Sequence, residues 1–215
     1  MAMHSGSRVT PRQGAKRAQA RADRTQALVL EETIRCVREE GFAAASTRRI
    51  IERAGVTWGV IQYHFGDRDG LLAAVIEQGL TALADRINAI VDAAADIKDG
   101  RTRAEMLTSE VWSVMSTPEC MATLEILIAT RSMRGALATE ELAGIGSALA
   151  RLSGLLGDGA APPAAVANLL WASAVGMMVT QMTSSATVPT HDEQQAMANV
   201  IADRLSTRRR RHSRS

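Results

Sequence analysis

Aromatic side chains are scarce in this sequence: its 215 residues include two Phe, three Trp and one Tyr. Cysteine is scarcer still. Cys36 and Cys120 are too far apart for a metal-ligand spacing and too few for a disulfide framework, so a reducing cytoplasm is the expected location. The first 25 residues contain no apolar run, so a secretory signal peptide is not expected. Catalytic patterns are missing as well. No Ser/His/Asp, Cys/His or carboxylate–histidine set has a recognisable spacing, and three of the four His stand at positions 4, 191 and 212. Neither an enzyme nor a cofactor or metal site is expected. With five Pro, few β-branched runs, no strand-like alternation, no internal repeat and no nucleotide-binding glycine motif, the chain has little to interrupt helices.

The content of 46% apolar and 22% charged residues fits an ordinary globular protein, with Ala, Leu, Val, Ile and Met favouring an all-α fold. Net charge is +2, but the charge is unevenly spread. Residues 1–24 hold six Lys/Arg against one acid, and residues 206–215 hold five Arg and no acid. Residues 71–205 reverse the balance, with eight basic against fifteen acidic residues. Basic ends on an acidic body suit a polyanionic partner, or are solvated tails.

Residues 1–24, polar and basic, read as a disordered arm. A helical period starts at Thr25 with Val29, Leu30, Ile34 and Val37, and Gly41 ends it. Ser46 caps a short helix that closes at Ala54–Gly55, and Thr57 caps another from Trp58 to His64. Asp67 caps a long helix to about Ala95, which Gly79 can bend. Further helices are expected near 102–115, 119–134, 138–156, 163–183 and 191–206, and residues 207–215 read as a disordered Arg-rich tail. Between Gly159 and Thr190 no residue is charged. That stretch is long enough to cross a bilayer. Its Asn168, Ser173, Thr180 and Gln181 and its many Ala fit a helix covered inside a bundle or dimer better, so no membrane partner is expected.

Three helices joined by Gly-containing turns suit a helix-turn-helix, whose third helix enters the DNA major groove. The stretch "GFAAASTRRIIERAGVTWGVIQYHFGDRDGLL", Gly41 to Leu72, resembles the DNA-binding domain of TetR-type transcriptional regulators. The matching features are Gly41-Phe42, the Ser46 cap, "ERAGV", the Thr-x-Gly opening of helix three, "YHF" and the acid–base–acid start of helix four. Four positions depart from the family pattern. Ile51 stands where a small Ala is usual, Val37 where Phe is frequent, Trp58 where a basic or small residue is common, and Gln62 where an aromatic is frequent. The resemblance implies a DNA-binding domain over 25–70 and a helical ligand-binding and dimerisation domain over 71–206.

The candidate DNA-contacting residues are Ser46, Thr47, Arg48, Thr57, Trp58, Gly59, Gln62, Tyr63, His64 and Arg68. Thr57 opens a helix whose free N–H groups suit a phosphate, besides acting as a cap. Gly59 either permits close backbone approach or meets a turn requirement. Gln62 has the bidentate chemistry for adenine N6/N7, or is a solvated helix residue. Trp58 reads as a contact to a thymine methyl or sugar face, with core packing as the alternative. Tyr63 and His64 are phosphate donors by resemblance, and His64 alternatively is structural. Arg68 sits in the first turn of a helix, where a cation opposes the dipole, so a phosphate partner accounts for it. Ser46, Thr47 and Arg48, with Arg49, are backbone candidates at the start of helix two.

Eight of the ten Met follow position 100. Met106, Trp112, Met115, Met121, Leu124, Ile128, Trp171 and Met178 are candidates for an apolar ligand pocket, or are core residues. Gln181, Asn168 and Glu125 are possible polar handles. The sequence therefore reads as a cytoplasmic repressor that binds a palindromic DNA operator as a homodimer through helices near 163–183 and 191–206. A small apolar or amphipathic effector would release it. The alternative is a helical nucleic-acid-binding or protein-interaction module without an effector.

Overall fold

A computed structural model describes residues 11–132, 139–156, 163–184 and 186–212. Helices account for nearly all of them, and no strand occurs among the described residues. In chain order they are α1 (Pro11–Glu40), α2 (Thr47–Ala54), α3 (Trp58–Phe65), α4 (Arg68–Ala95), α5 (Gly100–Met115), α6 (Pro118–Ala129), α7 (Thr139–Leu156), α8 (Pro163–Thr183) and α9 (His191–His212). The chain divides into two compact units, Met1–Val75 and Ile76–Ser215.

Two expectations of disorder meet helix instead. α1 starts at Pro11, so residues 11–24 continue the helix rather than forming a loose arm, and α9 includes residues 207–212. Residues 1–10 and 213–215 lie outside the described residues. The physical reason is that the apolar period marks where a helix packs, not where it starts. Ala, Gln, Lys and Arg extend a helix through solvent by propensity alone, Pro is tolerated at the first helical position, and Gln19 donates to Asp23 one turn on, at 2.7 Å.

In the N-terminal unit, α1 packs against α2, and Val29, Leu30, Thr33, Cys36, Val37, Ala45, Ile50, Ala54, Ile61, Leu71, Leu72 and Val75 are buried. A 3₁₀ turn, Phe42–Ala44, links α1 to α2. It was not foreseen, because three residues carry no period. Ser46 Oγ accepts from the Arg49 N–H at 3.3 Å, and Gly55 ends α2 in the left-handed region at φ 63°, as the sequence indicated. The turn into α3 depends on that conformation, which a side chain rarely adopts.

In the second unit, α5 packs along α9 and α7 along α8. The core includes Leu83, Ile87, Leu107, Trp112, Ile126, Leu152, Leu156, Leu170 and Ile201. Asp99 caps α5 by accepting the Thr102 N–H at 2.8 Å, and Thr117 caps α6 ahead of Pro118. Arg151 ties α7 to α4, donating to Asn88 at 2.7 Å and pairing with Asp92. Gly79 marks a close approach: a Cβ there would lie 2.3 Å from Thr123 Oγ1.

Candidate nucleic-acid interface

Helix α3 divides its side chains between two directions. Ile61 is completely buried, while Val60 and Phe65 are half-buried and complete its inward side. Outward stand Trp58, 47% exposed, and Tyr63, 80% exposed, with Gly59 and Gln62 exposed between them. The i, i+4 spacing of Trp58 with Gln62 and of Gly59 with Tyr63 places all four on one side of the helix. Apolar and aromatic surface is thus left in water beside an amide, and core packing does not account for Trp58.

Thr57 occupies the N-cap position with extended backbone, but its side chain makes no capping hydrogen bond. The first-turn N–H groups keep no side-chain acceptor, and such groups suit an anion. Gly59 is helical, since the positive-φ residues are Gly41, Gly55 and Gly66. A Cβ at Gly59 would meet only Thr57 Oγ1, at 3.7 Å. Neither a turn nor internal crowding calls for glycine at this position.

His64 is half-buried, with its ring 4.9 Å from Tyr63 in an edge arrangement and 6.0 Å from Phe65. Arg68 is also half-buried. Its Nε donates to the Ala45 carbonyl at 3.2 Å, and its guanidinium lies 5.1 Å from the Phe42 ring centre. Arg68 therefore braces the loop before α2, a role the sequence reading did not assign. Thr47 is half-buried and Ser46 exposed, and Arg48 reaches solvent while paired with Glu52 at 2.9 Å.

Behind this surface, carboxylates of α1 hold α2. Arg49 pairs with Glu40 at 2.9 Å, and Arg53 pairs with Glu40 at 2.6 Å, Glu39 at 2.7 Å and Glu32 at 3.4 Å. Hydrogen bonds from Arg49, reinforced by Arg53, hold the Glu40 carboxyl below its ordinary pKa. Hydrogen bonds to Glu39 and Glu40 push Arg53 further above its own. No local signal marks this network, because the partners lie nine or more residues apart.

The second unit contains a cavity of about 330 Å³ lined by Trp112, Met115, Ser116, Met121, Ala174, Met177, Met178, Gln181, Thr187, Val188 and Thr190. Of the candidate pocket residues, Trp112, Met115, Met121 and Met178 meet there. Met106, Leu124 and Trp171 instead pack half-buried against the core, and Ile128 is 46% exposed. Gln181 holds the segment after α8, donating to the Ala186 carbonyl at 3.2 Å and accepting from the Val188 N–H at 2.9 Å. Asn168 is exposed and Glu125 half-buried, and neither lines the cavity. Thr187, Val188 and Thr190 were missed because a loop has no periodicity to mark its inward residues. No cluster of three His, Cys, Asp or Glu side chains suited to a metal occurs among the described residues.

Residues 29–75 match the family described as bacterial regulatory proteins, tetR family. The chain is 41% identical over 61 residues to the HTH-type transcriptional regulator BetI 2 of Chromohalobacter salexigens. That match covers 28% of this chain and 30% of the relative's length. A putative TetR-family regulator from Mesorhizobium loti shares the fold, with a TM-score of 0.67 at 15% identity, covering 87% of this chain and 98% of the other. The multidrug binding protein EbrR, solved with imidazole, superposes with a TM-score of 0.56 at 18% identity, covering 83% and 93%.

Proposed function

We propose that the chain, whose residues 29–75 match the tetR family of bacterial regulatory proteins, is a ligand-responsive transcriptional repressor. It is a regulator and not an enzyme. It acts in the cytoplasm, binding a palindromic operator as a homodimer. The observation that carries this reading is the outward side of α3, where Trp58, Gly59, Gln62 and Tyr63 form an uncharged, exposed reading surface on a helix anchored by Ile61. Gln62 reads a base edge, and Trp58 packs on a thymine methyl or sugar. The uncapped first turn at Thr57 receives a phosphate, with Tyr63, His64, Ser46, Thr47 and Arg48 as further backbone donors.

Homodimerisation uses α8 and α9. The stretch Ala165–Thr183 is apolar enough to cross a membrane, and 28% of it is buried within the chain. Leu169, Val179 and, on α9, Val200 remain exposed at 48%, 39% and 46%. A second copy presenting the same pair covers them in an isologous four-helix interface. The effector occupies the cavity beside Trp112 and the Met side chains. No lining residue is charged, which supports a small neutral, apolar or amphipathic molecule. Its binding favours a dimer geometry unsuited to the operator and releases DNA by population shift.

Binding-site selection from random DNA with the purified full chain tests the reading. The expected result is a palindromic sequence whose base preference relaxes at one position per half-site in Gln62→Ala. Recovery of duplexes without sequence preference at physiological salt would instead support a nonspecific nucleic-acid-binding module.

A further inference from the structure

The cations of the N-terminal unit fall into two groups. On α1's second half and on α2, Arg35 pairs with Glu32, Arg48 with Glu52, Arg49 with Glu40, and Arg53 with Glu32, Glu39 and Glu40. Arg38 is also engaged, and Arg68 is held by the Ala45 carbonyl and the Phe42 ring. Helix α3 contributes no Lys or Arg. Lys16, Arg17, Arg21 and Arg24 differ. All four are exposed, and among the described residues their side chains have no carboxylate or hydrogen-bond partner. Asp23, the one acid nearby, accepts from Gln19.

Arg17, Arg21 and Arg24 recur at i, i+4 and i+7, so they share one face of α1. That face is turned away from Val29, Thr33 and Cys36, which are buried. At 1.5 Å per residue the three span about 10 Å along the helix axis. Like charges one turn apart repel on a lone helix, and a polyanion removes that repulsion. A duplex presents about one negative charge per 1.7 Å, and each phosphate neutralised releases condensed counterions. Arginines already paired with carboxylates gain less from this exchange than solvated ones. Among the described residues of this unit, the unmatched positive charge therefore lies on α1.

We propose that the first half of α1 is a helical phosphate-binding arm, in which Lys16, Arg17, Arg21 and Arg24 dock on the DNA backbone and supply sequence-independent affinity. The proposal rests on the DNA-binding reading above. A membrane surface fits less well, because residues 15–24 carry no large apolar side chain to enter the interface. Phosphate contacts carry no base information, so the arm sets affinity and register while α3 sets sequence preference.

The test measures binding of the full chain to a random-sequence 40-bp duplex by fluorescence anisotropy across a salt series. The variant combines Lys16→Gln, Arg17→Gln, Arg21→Gln and Arg24→Gln, with circular dichroism confirming unchanged helicity. With one phosphate per cation, its log–log salt slope falls by about 3.6 per protomer, at about 0.9 per contact. Its affinity near physiological salt falls at least about tenfold, while base preference on selected operators is unchanged. A companion variant with Arg17→Lys, Arg21→Lys and Arg24→Lys keeps the wild-type slope. A wild-type slope in the Gln variant overturns the arm and leaves the reading head standing. Failure of the wild-type chain to bind any duplex overturns the DNA reading itself. Loss of binding to phosphatidylserine vesicles with no change in DNA slope assigns the cations to a membrane and also overturns the arm.

Discussion

Gln62 and Trp58 stand one turn apart on the outward side of α3, at two of the positions where this chain departs from the usual family pattern. A bidentate amide–adenine pair discriminates by about 1–3 kcal/mol. Gln62→Ala is therefore expected to relax preference at one base by roughly tenfold to a hundredfold while changing thermal stability little. Gly59 separates recognition from stability in another way. Its Cβ space is free within the chain, so Gly59→Ala should stabilise α3 by up to about 1 kcal/mol in thermal unfolding and still weaken DNA binding. A tighter-binding Gly59→Ala variant would refute close backbone approach. Cys36 is shielded by full burial and Cys120 by partial burial. Cys36 is completely buried with its pKa raised, and burial pushes Cys120 up to about 11. At pH 8 both should react slowly with a thiol reagent in the native chain and rapidly in denaturant. A fast native burst of one equivalent would contradict this.

At the scale of elements, two junctions matter most. The Glu40–Arg49–Arg53 cluster fixes α2 to α1. Because the folded Glu40 pKa is lowered, its contribution is present above the unfolded value near pH 4.3 and is lost as pH falls through the folded value. The denaturation midpoint of wild type should exceed that of Glu40→Gln at pH 6, and the difference should shrink by pH 3.5. An unchanging difference would show that Glu40 titrates normally. In the second unit, α4 and α6 meet at Gly79. A methyl group there would lie 2.6 Å from Thr123 Cγ2 and 3.0 Å from Thr123 Cβ, so relief requires more than a rotamer change. Gly79→Ala should cost about 1–3 kcal/mol by overpacking. The sequence suggested a bend at this glycine, but the close approach of α6 explains it without one.

At the scale of the whole molecule, the reading depends on a partner copy over α8 and α9. Val179→Glu places a charge on the uncovered face without touching the core. The variant should sediment as a monomer with unchanged helicity and bind operator DNA at least about tenfold more weakly, since one half-site contact is lost. A dimeric Val179→Glu protein would move the interface elsewhere.

Helix positions and the outward side of α3 were legible in the sequence because both follow from short-range rules. The cap at Ser46, the stops at Gly41 and Gly55, and 3.6-residue spacing specify helices within a few residues. The α3 pattern, with Ile61 inside and Trp58, Gln62 and Tyr63 outside, follows from spacing alone. What lay beyond one turn did not follow. Helix α1 starts at Pro11 without a large apolar residue to announce it. Arg68 takes its carbonyl acceptor from Ala45, 23 positions earlier. Gly79 meets Thr123, and the cavity draws Thr187 and Val188 from a loop while leaving Met106 and Trp171 outside. Local propensity determines which residues share a helix face. Only packing decides which faces meet, because such pairings join residues whose separation along the chain carries no local signal.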